Sequence, residues 1–333
     1  MKILITGGAG FMGSNFIKYI LKKHPDWQVV NLDKLTYAGN LENLAEVSQN
    51  KNYTFLKGDI ANAEDVAKAI GEGVDKIINY AAETHVDRSI LEPDAFIRTD
   101  IFGTYTLLEA TKKYNVAQYI QISTDEVFGS IKDGAFDEQS PFAPNSPYAA
   151  SKAGADHFCR AYFKTYNLPI IVSHSCNVFG HNQYPEKIIP LFITNLLEGK
   201  KVPVYGQGQQ MREWIFTEDH CAAIETIMEK GEPGEVYNIG TGDEKTNLET
   251  TKFILQEMGF GEEMIEYVKD RPGHDWRYAI NSQKLRGLGW QPSVDWPDGL
   301  RRTISWYKEN GEWWKKIKSG EYLEYYKKQY QQR

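Results

Sequence analysis

Tyr148 and Lys152 stand four residues apart in Pro147-Tyr148-Ala149-Ala150-Ser151-Lys152, so a helix through this segment carries both on one face. A phenol with an ordinary pKa of about 10 is a poor base at neutral pH, and a neighbouring ammonium favours the phenolate that accepts a proton from a hydroxyl. Upstream, Ser123-Thr124-Asp125-Glu126 gathers two hydroxyls and two carboxylates. Ser123 and Thr124 are suited to hold one substrate hydroxyl between them, and the carboxylates to acid and base work. Successive residues of a regular strand point to opposite faces, so Asp125 and Glu126 serve one substrate only if the chain turns there. Otherwise one caps a turn and the other is solvated.

A second set of residues reads as an anion cradle. Gly7-Gly8-Ala9-Gly10-Phe11-Met12-Gly13 follows the apolar strand pattern Lys2–Thr6 and opens a helical period. Without Cβ atoms, Gly7, Gly10 and Gly13 let the chain turn tightly and bring backbone N–H groups to a pyrophosphate at a helix N-terminus. Asp33 ends the second strand pattern 20 residues after Gly13. A carboxylate there accepts from the adenosine ribose and repels a 2′-phosphate, which favours NAD over NADP, while Lys34 beside it pulls the other way. Asp59-Ile60, after the third strand, is placed to receive the adenine, and Ala81-Ala82-Glu83, after the fourth, to lie against the cofactor; an Asp after a strand also reads as a helix cap. A bound nicotinamide cation would join Lys152 in favouring the Tyr148 phenolate.

Both sets need a scaffold. From residue 1 to about 175, β-branched apolar runs alternate with helical periods: strands at Lys2–Thr6, Gln28–Asp33, Tyr53–Lys57, Lys76–Tyr80, Gln118–Ser123 and Pro169–Ser173, helices at Ser14–Lys23, Ala63–Ile70, Ile101–Tyr114 and Tyr148–Tyr166. The alternation predicts an α/β fold, a Rossmann-type doubly wound parallel sheet with right-handed crossovers and a ligand site at the C-terminal ends of its strands. Beyond residue 175 the pattern loosens into short strands at Lys201–Tyr205, Glu235–Ile239 and Glu266–Val268 among helices at Lys187–Leu197, Thr217–Lys230, Asn247–Met258 and Ser282–Leu285. Residues 1–175 read as a NAD-binding domain carrying the catalytic residues. Residues 176–333 read as a smaller α/β substrate-binding part, interleaved with the first because no polar linker divides them.

Together these residues resemble the extended short-chain dehydrogenase/reductase family, whose members act on nucleotide sugars, over nearly the whole chain. Thr124-Asp125-Glu126-Val127-Phe128-Gly129, Ala82-Glu83-Thr84-His85-Val86-Asp87-Arg88-Ser89-Ile90 and Arg271-Pro272-Gly273-His274-Asp275 are similar to the nucleotide-diphosphate-glucose 4,6-dehydratases, above all those acting on dTDP-glucose. Related UDP-glucuronate decarboxylases carry Thr-Ser-Glu at the first of these positions, and the 4-epimerases lack the acid pair.

The resemblance implies a hydro-lyase. Tyr148, aided by Thr124 and Lys152, takes the C4 hydroxyl proton while hydride passes from C4 to NAD. Glu126 then removes the C5 proton, acidified by the 4-keto group, and Asp125 protonates O6 to expel water. The enone takes back the hydride at C6 and a proton at C5, giving a 4-keto-6-deoxy sugar with NAD bound throughout. Implied cofactor contacts are Gly7, Gly10, Phe11, Met12, Gly13, Asp33, Lys34, Asp59, Ile60, Ala81, Ala82, Thr99, Ser123, Tyr148 and Lys152. Implied substrate contacts are Thr84, Asn177, Lys187, Tyr205 stacked on the base, Arg212, Asn247, Arg271 and His274. No metal is implied. A homodimer is expected through the helices at Ile101–Tyr114 and Tyr148–Tyr166.

Four departures from the dTDP-glucose pattern fall in or near the substrate half. Ser173-His174-Ser175-Cys176-Asn177-Val178-Phe179-Gly180-His181 stands where Thr-Arg and then Asn-Asn-Tyr-Gly-Pro-Tyr are usual. Glu213 replaces Asp before Trp214, Trp276 replaces Arg after Asp275, and Thr84 replaces Ser. UDP-glucose and UDP-N-acetylglucosamine therefore stay open as substrates. A 4-epimerase or decarboxylase would need no acid at Asp125, and a non-catalytic nucleotide sensor would need none of Tyr148, Lys152 and the acid pair.

Composition narrows the partners. With Lys+Arg 38 against Asp+Glu 45, the 333 residues carry a net charge of −7, which argues against a general nucleic-acid binder and confines diphosphate binding to a local cluster such as Lys187, Arg212 and Arg271. Cys159, Cys176 and Cys221 lack zinc-ligand spacing and read as reduced thiols of a cytoplasmic protein. No apolar run approaches the roughly 20 residues of a membrane span, and Met1–Thr6 is expected to enter the fold directly rather than to lead a signal peptide. The stretch from Pro297 to Arg333, with Trp306, Tyr307, Trp313, Trp314, Tyr322, Tyr325, Tyr326 and Tyr330, reads as a terminal helix docking its aromatics on the body, or alternatively as a membrane-surface helix.

Overall fold

The six apolar runs of the first half form strands β1 (Lys2–Thr6), β2 (Gln28–Asp33), β3 (Tyr53–Lys57), β4 (Lys76–Asn79), β5 (Gln118–Thr124) and β6 (Ile170–Ser175). The second half adds β7 (Asn177–Phe179), β8 (Val202–Tyr205), β9 (Met211–Phe216), β10 (Val236–Ile239), β11 (Glu244–Thr246) and β12 (Ile265–Val268). These come from a computed structural model describing residues 1–270, 273–319, 322 and 326.

Seven strands make one parallel sheet in the order β10-β6-β5-β4-β1-β2-β3. Helices cover both faces, which is why Ile3, Leu4 and Ile5 are all fully buried rather than alternating with polar residues. Chain direction across the sheet reverses between β1 and β4, opening a crevice at their C-terminal ends. The second half is woven into this layer: β10 pairs with β6, and the Thr217–Lys230 helix packs beside the Phe11–Lys23 helix.

β6 runs two residues beyond its predicted end. Ser173, His174 and Ser175 interrupt the apolar pattern, yet all three are buried strand residues whose side chains find partners on Gln121, Asp156 and His220. The helix predicted at Ile101–Tyr114 also starts differently, as a π-helical turn at Ile97–Gly103 that leads into Thr104–Lys113. Such turns are frequent at functional sites, and this one carries the buried Asp100.

The remaining strands form two small sheets, β11-β9-β7 and β12-β8. They share a core of Phe179, Phe192, Trp214, Phe216, Tyr307, Trp313 and Trp314. The C-terminal aromatics thus dock on the body instead of presenting an apolar face outward, with Tyr307, Trp314 and Tyr322 all buried; Tyr325 and Tyr330 lie outside the described residues. Among the described residues no helix is long and apolar enough to cross a membrane.

Candidate active site

The glycine segment leaves β1 with Gly7 at φ 67°, where a Cβ would stand 2.6 Å from the Ala81 backbone; at Gly13 it would stand 2.4 Å from the Gly7 carbonyl oxygen. Only hydrogen at both positions lets β1, β4 and the helix N-terminus converge. Asp33 braces this turn: its carboxylate accepts the Ala9 N–H at 2.8 Å and the Leu35 N–H at 2.7 Å. Burial pushes its pKa up against those two donors. Lys34, which the sequence leaves ambiguous, is tied to Asp59 by a 2.9 Å ion pair. Burial works against Asp59, but Lys34 and the Ala61 N–H outweigh it and hold the carboxyl below its ordinary range.

A cleft runs from these residues to the far end of the sheet. Its walls contain every residue predicted to meet a dinucleotide, from Gly7, Gly10, Phe11, Met12 and Gly13 through Asp33, Lys34, Asp59 and Ile60 to Ala81, Ala82, Thr99, Ser123, Tyr148 and Lys152. Thr84, predicted to meet substrate, lies on this cleft instead, its carbonyl accepting the Tyr37 hydroxyl at 2.8 Å. The donor set suits NAD: helix N-terminal amides for a pyrophosphate, a carboxylate for a ribose, and a phenol and ammonium at the opposite end.

At that opposite end β5 stops at Thr124 and the chain makes one 3-10 turn, Asp125–Phe128. Thr124 Oγ1 caps it by accepting the Glu126 N–H at 3.2 Å. This turn brings the two carboxylates to one region. Asp125 is 2% exposed, its Oδ1 is 3.2 Å from Thr124 Oγ1, and its Oδ2 has no hydrogen-bond partner. Burial, then the charges of Glu126 and Glu213, push its pKa well above the ordinary carboxyl value, which favours the protonated form. Glu126 faces a second cavity, with Oε2 3.4 Å from the Tyr278 hydroxyl. That hydroxyl is 2.7 Å from Asp275 Oδ2, and the Arg212 guanidinium lies 4.5 Å over the Tyr278 ring.

The helix Pro147–Tyr166 begins where Ser146 Oγ accepts the Ala149 N–H at 3.1 Å, with Pro147 in its first turn. Lys152, 5% exposed, donates to the Ile122 carbonyl at 2.7 Å. Sequence reasoning expects Lys152 to favour the Tyr148 phenolate. In the protein alone, burial and the charges of Glu126 and Asp100 prevail and raise Tyr148 well above its ordinary value. A positive charge entering the cleft would favour the Tyr148 phenolate.

Ser123 has a partner within the protein. Its hydroxyl donates to Asp156 Oδ2 at 2.7 Å, the oxygen that His174 Nε2 approaches at 3.1 Å. The Ser123 oxygen keeps acceptor capacity on the cleft, while Thr124 Oγ1 donates to Asp125 Oδ1 at 3.2 Å and accepts the Glu126 N–H, so both hydroxyls are engaged within the protein. Asp100 escaped the sequence reading altogether: 2% exposed, it accepts the Glu83 N–H at 2.9 Å and the Ser151 hydroxyl at 2.6 Å. Burial lifts its pKa to about 6 despite the Lys152 charge.

The second cavity, about 140 Å³, brings together Asn177, Lys187, Tyr205, Arg212, Asn247 and His274 with Glu126 and Glu186. Arg271 lies outside the described residues. Lys187 lines both cavities and so marks their junction. Asn177 Oδ1 is buried without a hydrogen-bond partner, a vacancy that a ligand donor can fill. Arg212 is held by the Met211 and Asp275 carbonyls at 2.7 and 3.1 Å, and His274 Nδ1 lies 2.6 Å from Asp270 Oδ1. Glu213, one methylene longer than the usual Asp, uses its length to accept the Gly242 N–H at 2.7 Å. Glu186, 4% exposed, meets Arg88 at 2.8 Å. Glu186, next to Lys187, and Tyr278, three residues after Asp275, escaped the sequence reading. Away from the cavities, His24, Glu225 and Glu229 lie within metal-ligand reach of one another, but Glu225 is already taken up by Lys23, His24 and Tyr19.

Comparison with known proteins follows this geometry. A family profile described as GDP-mannose 4,6 dehydratase matches residues 4–303. The dTDP-glucose 4,6-dehydratase of Streptomyces niveus is 48% identical over 324 residues, covering 96% of each chain. That of Escherichia coli is 44% identical over 362 residues, covering 100% of both. The crystal structure of DesIV, dTDP-glucose 4,6-dehydratase from Streptomyces venezuelae with NAD and TYD bound, matches with a TM-score of 0.93 and 47% identity over 95% of this chain and 100% of that one.

Proposed function

The chain belongs to the GDP-mannose 4,6 dehydratase family, and from that membership we propose that it is a NAD-dependent dTDP-glucose 4,6-dehydratase, a hydro-lyase that forms the 4-keto-6-deoxy sugar nucleotide and water. The observation that carries this reading is the Asp125–Glu126 turn beside Tyr148, where the cofactor cleft meets a cavity that Lys187 and Arg212 line.

Bound NAD supplies reversible two-electron acceptance and a positively charged ring. Thr124 and Tyr148 hold the C4 hydroxyl, and Tyr148 takes its proton once the cleft carries that charge. The ketone at C4 acidifies the C5 hydrogen, which Glu126 removes as a proton. Asp125, its protonated form favoured by burial and by its acidic neighbours, gives its proton to O6, and water leaves. The Tyr278 hydroxyl, donated to Asp275, lies 3.4 Å from the Glu126 carboxylate. Asp125 and Glu126 thus divide acid and base work by environment, the buried carboxyl donating and the cavity-facing one accepting.

Residues 176–333 supply most of the sugar-nucleotide pocket, with Lys187 and Arg212 near the diphosphate, Tyr205 against the base, and Asn177, Asn247 and His274 completing the wall. Ile97, Phe102, Tyr105, Phe158 and Tyr166 are exposed apolar side chains on the segments Ile97–Lys113 and Pro147–Tyr166, which supports a homodimer through that face. Cys159, Cys176 and Cys221 are buried and unpaired, in keeping with a reducing cytoplasmic setting.

Purified protein is incubated with dTDP-glucose, UDP-glucose or UDP-N-acetylglucosamine, without added NAD, and product mass is followed. Loss of one water from dTDP-glucose is expected. Water loss from a UDP-sugar alone would reassign the nucleotide, and turnover of none by protein shown to hold NAD would overturn the reading.

A further inference from the structure

The C-terminal helices Trp296–Glu309 and Gly311–Ile317 take no part in the chemistry above, yet they reach both walls of the dinucleotide cleft. On one side the indole Nε1 of Trp313 donates to Asn43 Oδ1 at 2.9 Å. Asn43, 3% exposed, passes this on: its Nδ2 donates at 2.9 Å to the carbonyl of Ala9, inside the glycine segment. On the other side the Tyr307 hydroxyl donates to the Gln183 carbonyl, and Trp306 stacks on His181 with ring centroids 5.8 Å apart and planes within 17°. Gln183, Tyr184 and Lys187 line the cleft opposite the glycines. Asn182 closes the circuit, its Nδ2 donating to the same Asn43 oxygen at 3.2 Å.

Backbone segments joining strands to helices ordinarily hold their shape with few tertiary contacts and open at little cost. Here two such segments are fastened to each other and to two aromatic side chains that lie more than a hundred residues further along the chain. His181, a departure from the family pattern, is one of the fastened residues, and Trp306 accounts for it. The arrangement matters most for a cofactor that ends each cycle as it began, since every dissociation would cost a turnover.

We infer that the C-terminal helices clamp the two walls of this cleft, Tyr307 and Trp313 acting as positioning residues that set how tightly NAD is retained. The inference rests on the dinucleotide reading given above. Tyr307→Phe keeps the buried ring and removes its donor, while Trp313→Phe removes the indole N–H together with part of the buried ring, leaving Asn43 Oδ1 only the Asn182 donor.

The two single variants, the double variant and Lys308→Ala, an exposed control on the same helix, are stripped of nucleotide. NAD binding is then measured calorimetrically, well below the unfolding temperature, and amide exchange is followed in residues 7–13 and 181–187. The dissociation constant for NAD should rise about tenfold in the double variant, the worth of one to two hydrogen bonds, with exchange about tenfold faster in both segments and the control unchanged. If the double variant does not fold, the single variants carry the test with a smaller expected rise. A folded variant that binds NAD as wild type does, or that loses only thermal stability, would overturn the clamp. Wild-type protein that binds no NAD would instead overturn the dinucleotide reading, while the exchange rates still judge whether the helices hold the two walls.

Discussion

Asp125 and Glu126 are consecutive residues on one tight turn, and the charge of Glu126 is one of the two carboxylate charges that favour the protonated form of Asp125. A shared turn thereby gives two chemically similar side chains different environments, which is what the proposed division into acid and base requires. The pair is the point at which the proposed mechanism is most exposed to test.

Glu126→Gln should still oxidise C4, visible as transient reduced cofactor, but should not lose water. Asp125→Asn should slow water loss by about 10²- to 10⁴-fold, the usual worth of a positioned acid. Rapid-quench mass analysis separates the two steps. In the wild type, water loss should decline as pH rises through the raised pKa of Asp125, because the acid form is then depleted, and Asp125→Asn should lack that alkaline limb. A Glu126→Gln enzyme that forms the 6-deoxy product at the normal rate would remove Glu126 from the mechanism.

Cofactor choice should depend on Asp33 more than on Lys34. Lys34 is engaged by Asp59, whereas the Asp33 carboxylate sits at the ribose end of the cleft. Asp33→Asn should narrow the preference for NAD over NADP by about tenfold, the value of roughly 1.4 kcal/mol of lost repulsion. Calorimetric titration with both dinucleotides reads this directly; an unchanged ratio counts against Asp33 as the discriminating group.

Asp100 should make the protein less stable as pH rises through the weakly acid range. Its folded pKa of about 6 exceeds the ordinary 3.8, so the unfolded chain ionises first and folded stability falls between those two values. The loss is of the order of 3 kcal/mol at about 1.4 kcal/mol per pKa unit. Asp100→Asn should make that slope shallower in urea-unfolding midpoints taken across the interval, leaving the part that Asp125 and the other raised carboxyls contribute. A slope unchanged in the variant would assign it wholly to those other groups.

Phe102→Glu should give a monomer. Phe102 is 49% exposed and touches Tyr105, which in turn meets Phe158, so a charge there would be buried unpaired in a dimer formed through these helices. Sedimentation equilibrium distinguishes monomer from dimer. Identical mass in wild type and variant means the contact lies elsewhere.

Much of this molecule is legible residue by residue. The strand and helix periods of the first half, the glycine spacing before the first helix, and the four-residue step from Tyr148 to Lys152 are local patterns, and local sterics and periodicity decide them. Even the requirement for a turn at Asp125 follows from strand geometry alone.

Other features depend on which distant groups compete for the same proton or hydrogen bond. Ser123 reads as an open hydroxyl, and the fold gives its proton to Asp156. Lys34 reads as an open charge until Asp59 pairs with it. Tyr148 reads as an activated base until burial and the charges of Glu126 and Asp100 are counted.

The sequence by itself determined the fold class, the dinucleotide cradle and the acid–base pair, because each is written in residues close along the chain. Only the tertiary structure decided which carboxyl burial shifts toward its protonated form, which partners engage the Ser123 and Thr124 hydroxyls, and how Trp313 comes to meet Asn43 across 270 positions. Desolvation and hydrogen-bond competition are set by neighbours in space, and those neighbours exist only once the chain has folded.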